Sequence, residues 1–288
     1  MVAVLFKLFV SSRPLSWVNT AFPFAAAYLM TAGFDLALVI GTLYFLIPYN
    51  LAMYGINDVF DYESDLRNPR KGGVEGAVLD RSMHRPTLIA VAVTNVPFLV
   101  YLVAVGSPLS WPVLAISIFA VVAYSARGLR FKEKPFLDSL TSSTHFVSPA
   151  VYGLALAGAA FTPQLWALLG AFFLWGMASH AFGAVQDVIA DREGGLASVA
   201  TVIGARATVR LSVVLYLLAG ALLLFAGWPA ALAALLALPY AISCALHWNI
   251  TDAVAETANR GWKRFLILNF ATGFLVTMLL IWSALRAR

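Results

Sequence analysis

Met53-Tyr54-Gly55-Ile56-Asn57-Asp58-Val59-Phe60-Asp61-Tyr62-Glu63-Ser64-Asp65 closes an apolar run that begins near residue 37. A run of about 20 apolar residues is long enough to cross a ~30 Å hydrocarbon core as a helix. Carboxylates are poorly suited to such a place, costing about 2.5–3.5 kcal/mol each at a span's centre. A second cluster, Gln186-Asp187-Val188-Ile189-Ala190-Asp191, closes another apolar run. Two acid groups at corresponding ends of two separate spans ask for a shared cation.

The rest of the chain fits a membrane solvent. Its 288 residues are 61% hydrophobic and 11% charged, against about 25% charged in soluble domains. Apolar runs recur at about 14–34, 37–57, 87–106, 109–126, 137–158, 164–186, 210–227, 229–248 and 265–285. The expected fold is all-α: a polytopic membrane protein of about nine transmembrane helices around a central cavity. A soluble helical protein of this composition would have to bury nearly every face. Pro23, Pro48, Pro97, Pro149 and Pro239 fall inside these runs, and bundled membrane helices tolerate them. No linker or change of composition divides the chain, so residues 1–288 read as a single membrane domain. Within it, the second and sixth runs each end in acids followed by a basic, Gly-containing segment. That echo suggests two related helical halves facing each other across the cavity, with the ninth run added.

Charge placement sets the orientation. With a cytoplasmic N-terminus, the inside segments carry Lys7 and Arg13, then Arg67, Arg70, Lys71, Arg81 and Arg85, then Arg127, Arg130, Lys132 and Lys134. Arg192, Arg206, Arg210, Arg260, Lys263 and Arg264 follow, leaving only Arg286 and Arg288 of the 19 basic residues outside. This is the positive-inside pattern. It places the N-terminus and both acidic motifs in the cytoplasm of a bacterial- or archaeal-type plasma membrane. The apolar stretch at residues 1–10 is followed by no small-residue cleavage site, so no signal peptide is expected. Cys244 is alone and reads as a small buried hydrophobe. No nucleic-acid partner is expected, and the sequence leaves open whether a partner subunit is needed.

On one continuous helix, Asn57, Asp58, Asp61 and Asp65 fall within an arc of about 100°, and Asp187 and Asp191 lie about 40° apart. His180 shares the face of Asp187 about two turns deeper. Oxygen-rich sites of this kind suit Mg²⁺, which takes one or two carboxylates, waters and substrate phosphates. The four histidines are scattered and there is one cysteine, so no zinc spacing exists. Arg and Lys on the same side as the acids suit a cation that carries polyphosphate. No GxxxxGK[ST] or GxGxxG nucleotide cradle is present. Asn19, His145 and His180 are polar within expected spans, and so are candidates for a cavity or acceptor role or for a helix-to-helix hydrogen bond. Phe22, Tyr28, Tyr49, Tyr54, Tyr152 and Trp175 are aromatic candidates for the cavity wall, against ordinary helix packing as the simpler role.

Asn57-Asp58-x-x-Asp61-x-x-x-Asp65 together with Asp187-x-x-x-Asp191 resembles the paired motifs of the UbiA superfamily of intramembrane prenyltransferases. Tyr124-Ser125-Ala126-Arg127-Gly128-Leu129-Arg130-Phe131-Lys132 is similar to that family's loop after the fourth helix, with Arg127 and Gly128 where the family usually has Pro. Gly195 to Gly204 resembles its Gly and Ser/Thr pattern after the second motif. The stretch from Tyr54 through Asp65 to Leu66-Arg67-Asn68-Pro69-Arg70-Lys71-Gly72-Gly73-Val74-Glu75-Gly76-Ala77 resembles the branch that elongates lycopene to longer acyclic carotenoids.

The resemblance implies a metal-dependent ionisation. Asp58, Asp61, Asp65, Asp187 and Asp191 would hold Mg²⁺ against an allylic prenyl diphosphate, with Asn57 as a ligand or as a donor to the diphosphate. Arg67, Lys71, Arg130 and Lys132 would neutralise the departing pyrophosphate. An electron-rich carbon of a lipophilic acceptor, lycopene on the finer resemblance, would then attack the allylic cation, and proton loss or water capture would finish the reaction. A quinone precursor, a chlorophyllide or a lipid headgroup are the other acceptors considered. A cation-coupled transporter is the rival from another class, but transporters set their coupling sites near the bilayer midplane, whereas these acids cluster at one face. A pigment-binding scaffold would need no acid pairs.

Overall fold

The computed structural model describes residues 2–66 and 79–286; the expected diphosphate residues Arg67 and Lys71 lie outside the described residues. In chain order the helices are α1 (Val2–Ser11), α2 (Val18–Ala32), α3 (Leu36–Leu46), α4 (Pro48–Phe60), α5 (Tyr62–Asp65), α6 (Arg81–Ala104) and α7 (Ser110–Ser125). They continue as α8 (Leu137–Leu156), α9 (Pro163–Val185), α10 (Val188–Glu193), α11 (Val199–Ile203), α12 (Ala205–Leu223), α13 (Ala237–Ala245) and α14 (Asn259–Arg286). Among the described residues there is no strand.

Helices occupy all nine expected apolar runs. Five helical stretches among the described residues are long and apolar enough to cross a bilayer: Leu36–Phe60, Arg81–Ala104, Pro163–Val185, Ala205–Leu223 and Asp252–Arg286. Ser110–Ser125 and Ala230–Ala245 are apolar but shorter. Large apolar side chains stand exposed along α6 (Val93, Val96, Val100), α12 (Val214, Leu217, Leu218) and α14 (Ile267, Phe270, Phe274). Surfaces of that extent are suited to hydrocarbon rather than to water.

The second run is one apolar stretch but two helices, because Pro48 has no N–H to continue the ladder. Ile47 departs from helical geometry (φ −115°, ψ −64°). The break takes the carbonyls of Phe45 and Leu46 out of the helix. In a membrane interior such groups need partners. Thr20 Oγ1 donates to Phe45 O at 2.7 Å. Asn50 Nδ2 lies 2.8 Å from Phe45 O, 3.1 Å from Leu46 O and 2.7 Å from Thr20 Oγ1. Asn95 Nδ2 serves Pro48 O at 2.9 Å. Thr20 and Asn50 are both wholly buried. The polar residue on α2 that matters for packing is therefore Thr20. Its neighbour Asn19, a candidate for the cavity, is exposed at the helix start.

By residue contacts the chain divides into two compact units, Met1–Phe131 with Thr144–Ala159, and Lys132–Ser143 with Ala160–Arg288. The core of the first is aromatic: Phe24, Tyr44, Phe45, Tyr49 and Tyr152 are each at most 1% exposed. Neighbouring rings lie 4.9–6.0 Å apart, from Tyr44–Phe45 to Phe24–Tyr152. Pairs of this geometry contribute about 0.5–1.5 kcal/mol beyond their buried area. Gly41 makes room for the cluster, since a Cβ there would sit 2.2 Å from Phe24 Cζ. Tyr28, Tyr49 and Tyr152 thus pack the core, the simpler of the two roles considered for them.

The second unit is built on α9 and α12, with α13 and α14 packed beside them. Phe182, Val185, Val209, Tyr216, Tyr240 and Cys244 are buried together in its core. Trp175 joins them, its ring 5.7 Å from Phe265. Cys244 is a buried free thiol, as its composition suggested.

Candidate active site

Both acidic motifs sit where a long helix gives way to a short one. Asp61 ends α4 with φ −97° and ψ 0°, and Asp187 precedes α10 with φ −97° and ψ −3°. This sparsely populated bridge region is a frequent conformation of active-site residues. The four acid and amide positions of the first motif therefore do not lie on one continuous helix, and His180 and Asp187 stand on opposite sides of a break. The physical reason is local: an Asp carboxylate competes for nearby backbone N–H groups and weakens a helix interior. Helical spacing survives in pieces, with Asp61 N on Asn57 O at 2.9 Å and Asp191 N on Asp187 O at 2.8 Å.

In the first unit the acids are buried beside cations. Asp58 is 2% exposed and Asp61 5%, burial that an uncompensated carboxylate would not tolerate. Ser11 Oγ donates to Asp58 Oδ2 at 2.7 Å, and Arg13 Nη2 donates to Oδ1 at 3.1 Å. The Arg13 guanidinium also covers the Tyr54 ring, 4.4 Å from its centroid, so Tyr54 serves this corner as an aromatic support. Arg130 Nη2 lies 3.8 Å from Asp61 Oδ1, and its Nη1 reaches Phe60 O at 3.4 Å. Ser125 Oγ donates to Asn57 Oδ1 at 3.1 Å.

Arg13 (φ 50°) and Arg130 (φ 40°) both hold left-handed backbones, uncommon for side chains of their size and concentrated at functional sites. Gly128 (φ 86°) takes the turn between α7 and Arg130 without that strain. Beside Asp58 a cavity of about 200 Å³ is lined by Phe6, Lys7, Val10, Ser11, Leu79 and Asp80. Lys7, bonded to Asp80 across it, holds that carboxyl below the usual carboxylate range.

Arg13 and Ser11 were not among the residues expected from the sequence. Arg13 is a lone base just before the first span, a signal available in principle, but its partner lies 45 positions away. Replacing Arg13 by Gln removes its charged hydrogen bond to Asp58. It should lower stability by about 1.5–3 kcal/mol, the usual weight of a hydrogen bond to a charged group. The check is a lower melting temperature in detergent than wild type; an unchanged midpoint would show the pair to be incidental.

In the second unit, Asp187 and Asp191 are half-buried. Gln186 beside them is held by Asn259, whose Nδ2 donates to Gln186 Oε1 at 2.6 Å. His180 is partly buried, with Nδ1 3.1 Å from Ser139 Oγ. Asp138, wholly buried and also not anticipated, accepts from Ser139 N and Val199 N, each at 2.8 Å. It ties the start of α8 to the segment after the second motif. A carboxylate opening the fifth apolar run was the signal for it. Lys132 is half-buried in this unit. His145 belongs to the first unit, 3% exposed and edge-on to Tyr124 at 5.2 Å.

Among the described residues no group of three or more His, Cys, Asp or Glu side chains converges as a metal cage. Mg²⁺ does not need one, because it commonly takes one or two carboxylates and completes its shell with water and substrate phosphate. The oxygen donors of the two motifs, the carboxylates of Asp58, Asp61, Asp187 and Asp191 and the amide of Asn57, are of the type a hard cation takes. The residues present fit Mg²⁺.

The sequence model of the UbiA prenyltransferase family matches residues 20–273. The chain belongs to that family. Within it, a "C(50) beta-cyclic carotenoids biosynthesis protein" of Dietzia sp. is 64% identical over 284 residues, 98% of this chain. The match spans 66% of that relative's own length, so this chain corresponds to just under two thirds of it. A lycopene elongase/hydratase of Corynebacterium glutamicum is 58% identical over 275 residues, covering 95% of this chain and 96% of the relative. Among solved structures, a UbiA homolog from Archaeoglobus fulgidus bound to DMAPP and Mg²⁺ superposes with a TM-score of 0.67 at 18% identity. It covers 95% of this chain and all of its own. At that identity the likeness establishes the fold: an all-α UbiA membrane protein.

Proposed function

We propose that this UbiA protein transfers a prenyl group from an allylic diphosphate, dimethylallyl diphosphate in first place, to lycopene in carotenoid biosynthesis. The observation that carries the proposal is the near-full-length match, in both directions, to a lycopene elongase/hydratase at 58% identity, in a chain that keeps both acidic motifs. The geometry of the first motif supports it, since Asp58 and Asp61 are buried carboxylates already set beside Arg13 and Arg130.

Asp58, Asp61, Asp65, Asp187 and Asp191 would hold Mg²⁺ for the donor's diphosphate, with Asn57 as a further oxygen donor. Mg²⁺ when bound screens the diphosphate charge and eases its departure. Arg13, held on Asp58 together with Ser11, is a further cation beside the diphosphate. Arg67, Lys71, Arg130 and Lys132 take up the charge of leaving pyrophosphate. The C–O bond of the donor breaks with its electron pair leaving on pyrophosphate, the terminal double bond of the acceptor attacks the allylic cation, and the new cation either loses a proton or captures water and then loses a proton from it. Lycopene offers no charge to recognise and is selected by apolar shape. Tyr54, His145, His180 and Asn19 remain the acceptor-side candidates, and residues 1–288 act as one membrane domain.

The direct test is purified protein in lipid with Mg²⁺, labelled dimethylallyl diphosphate and lycopene, a quinone precursor or chlorophyllide as acceptor. Label is expected in a carotenoid. Label only in a quinone or chlorophyll product overturns the acceptor, and label in none of them overturns prenyl transfer to any of these acceptors.

The orientation has its own check. With Cys244 replaced, single cysteines at Leu66 and Glu193, both exposed, are expected to react with an impermeant maleimide only from the cytoplasmic side. Labelling from outside intact cells reverses the topology.

A further inference from the structure

The cations of the second unit divide into two groups. Arg192 is committed: its Nη1 pairs with Asp252, and its Nε and Nη2 hold Thr201 O. Arg206, Arg210, Arg260, Lys263 and Arg264 have no ion pair among the described residues. Four of them meet at the loop after α13: Arg206, Arg210, Arg260 and Arg264. Arg206 Nη2 reaches Asn249 O at 3.5 Å. The Arg210 guanidinium lies over the Trp248 ring at 5.0 Å, with its Nε buried and without a hydrogen-bond partner. His247, on the same loop, packs against Gly261 of α14 and has Arg264 and Arg260 as its charged neighbours.

This placement is locally unfavourable. Arg260, Lys263 and Arg264 fall in the first two turns of α14, where the helix dipole favours anions; the start of α12, beside Arg206, already holds the Asp252 carboxylate through Ala205 N at 2.7 Å. Arg260 and Arg264 also stand four apart, a repulsive spacing. An external anion would reverse both costs. Immediately beyond the cations, α14 turns apolar and exposed: Leu266 is 40% exposed, Ile267 71% and Phe270 75%. Exposed Trp248 and Leu246 flank the cluster on the α13 side. Cations and an indole directly above a lipid-suited surface mark the headgroup level of a bilayer.

We propose that the starts of α12 and α14 and the loop after α13 form a binding site for the phosphate of an anionic phospholipid. The site shares no residue with either acidic motif, although Asn259 at the start of α14 touches Gln186, and it does not depend on the prenyl-transfer reading. The lipid phosphate sits among Arg206, Arg210, Arg260 and Arg264, the indole of Trp248 lies at the glycerol level, and the acyl chains run down the exposed face of α14.

The test is native mass spectrometry of the detergent-purified full chain with equimolar phosphatidylglycerol and phosphatidylcholine, with inorganic phosphate or pyrophosphate added in separate arms. Wild type is expected to retain phosphatidylglycerol in preference, and added phosphate or pyrophosphate should not displace it. The exposed double variant Arg206→Gln/Arg260→Gln and the variant Arg210→Gln/Arg264→Gln should each weaken retention, by roughly fivefold per cation removed. Arg286→Gln, far along α14, should not. Circular dichroism confirms that each variant keeps its helices, and the exposed pair keeps the test valid if the other variant unfolds. Equal retention of the two lipids, or unchanged retention in the folded variants, overturns the site. Displacement by pyrophosphate at comparable concentration assigns the cluster to free polyphosphate and overturns the lipid.

Discussion

Asp61→Asn and Asp187→Asn are each expected to lower prenyl transfer by roughly two to three orders of magnitude, the scale seen when a single charge-stabilising group is lost. The fold should be retained. Asn keeps the shape of Asp but removes the charge that a metal–diphosphate complex needs. Asp187 is half-buried at a helix break, so its loss disturbs little packing. Asp58 is a less clean probe, because it also answers Ser11 and Arg13. Asp58→Asn should lose activity and some stability together. The measurement is turnover of labelled donor at saturating Mg²⁺, with helix content followed in parallel. EDTA should reproduce the variants and restored Mg²⁺ should reverse it. Near-wild-type turnover in both Asp61→Asn and Asp187→Asn would remove the acids from the site.

The second large effect is on product identity. A host that accumulates lycopene, given this chain and an ample donor supply, should convert it to carotenoids one or two five-carbon units heavier, read by mass. Products that also carry water would fit the hydratase half of the relative's name. The Asp187→Asn variant in the same host should leave lycopene unchanged. Unaltered lycopene with verified membrane-inserted wild-type protein would break the acceptor assignment while leaving family membership intact.

The sequence determined the solvent and the helical class, and it supplied the motifs on which the proposed metal chemistry rests. Apolar runs of span length can satisfy their backbones only as helices in a bilayer, and helices occupy every one of them. Acids at the ends of two such runs are costly enough to signal function without any partner in view. Local rules also reached the role of Cys244 and the packing role of Tyr28, Tyr49 and Tyr152.

What needed the tertiary structure was every question of who faces whom. Helical periodicity fixes a direction only while the helix continues, and it stops at Ile47, Asp61 and Gln186. Thr20 and Asn50 are buried, and Asn19 exposed, because a proline break in α3–α4 leaves carbonyls needing donors on one side of α2. Arg13 meets Asp58, and Asp138 meets Val199, across 45 and 61 positions of chain. A charge pattern read along the sequence sets an expectation for the side of the membrane on which a residue sits. Its partner is decided by how distant helices pack, because the cost of burying a carboxylate is relieved only by a cation or N–H group within hydrogen-bond reach.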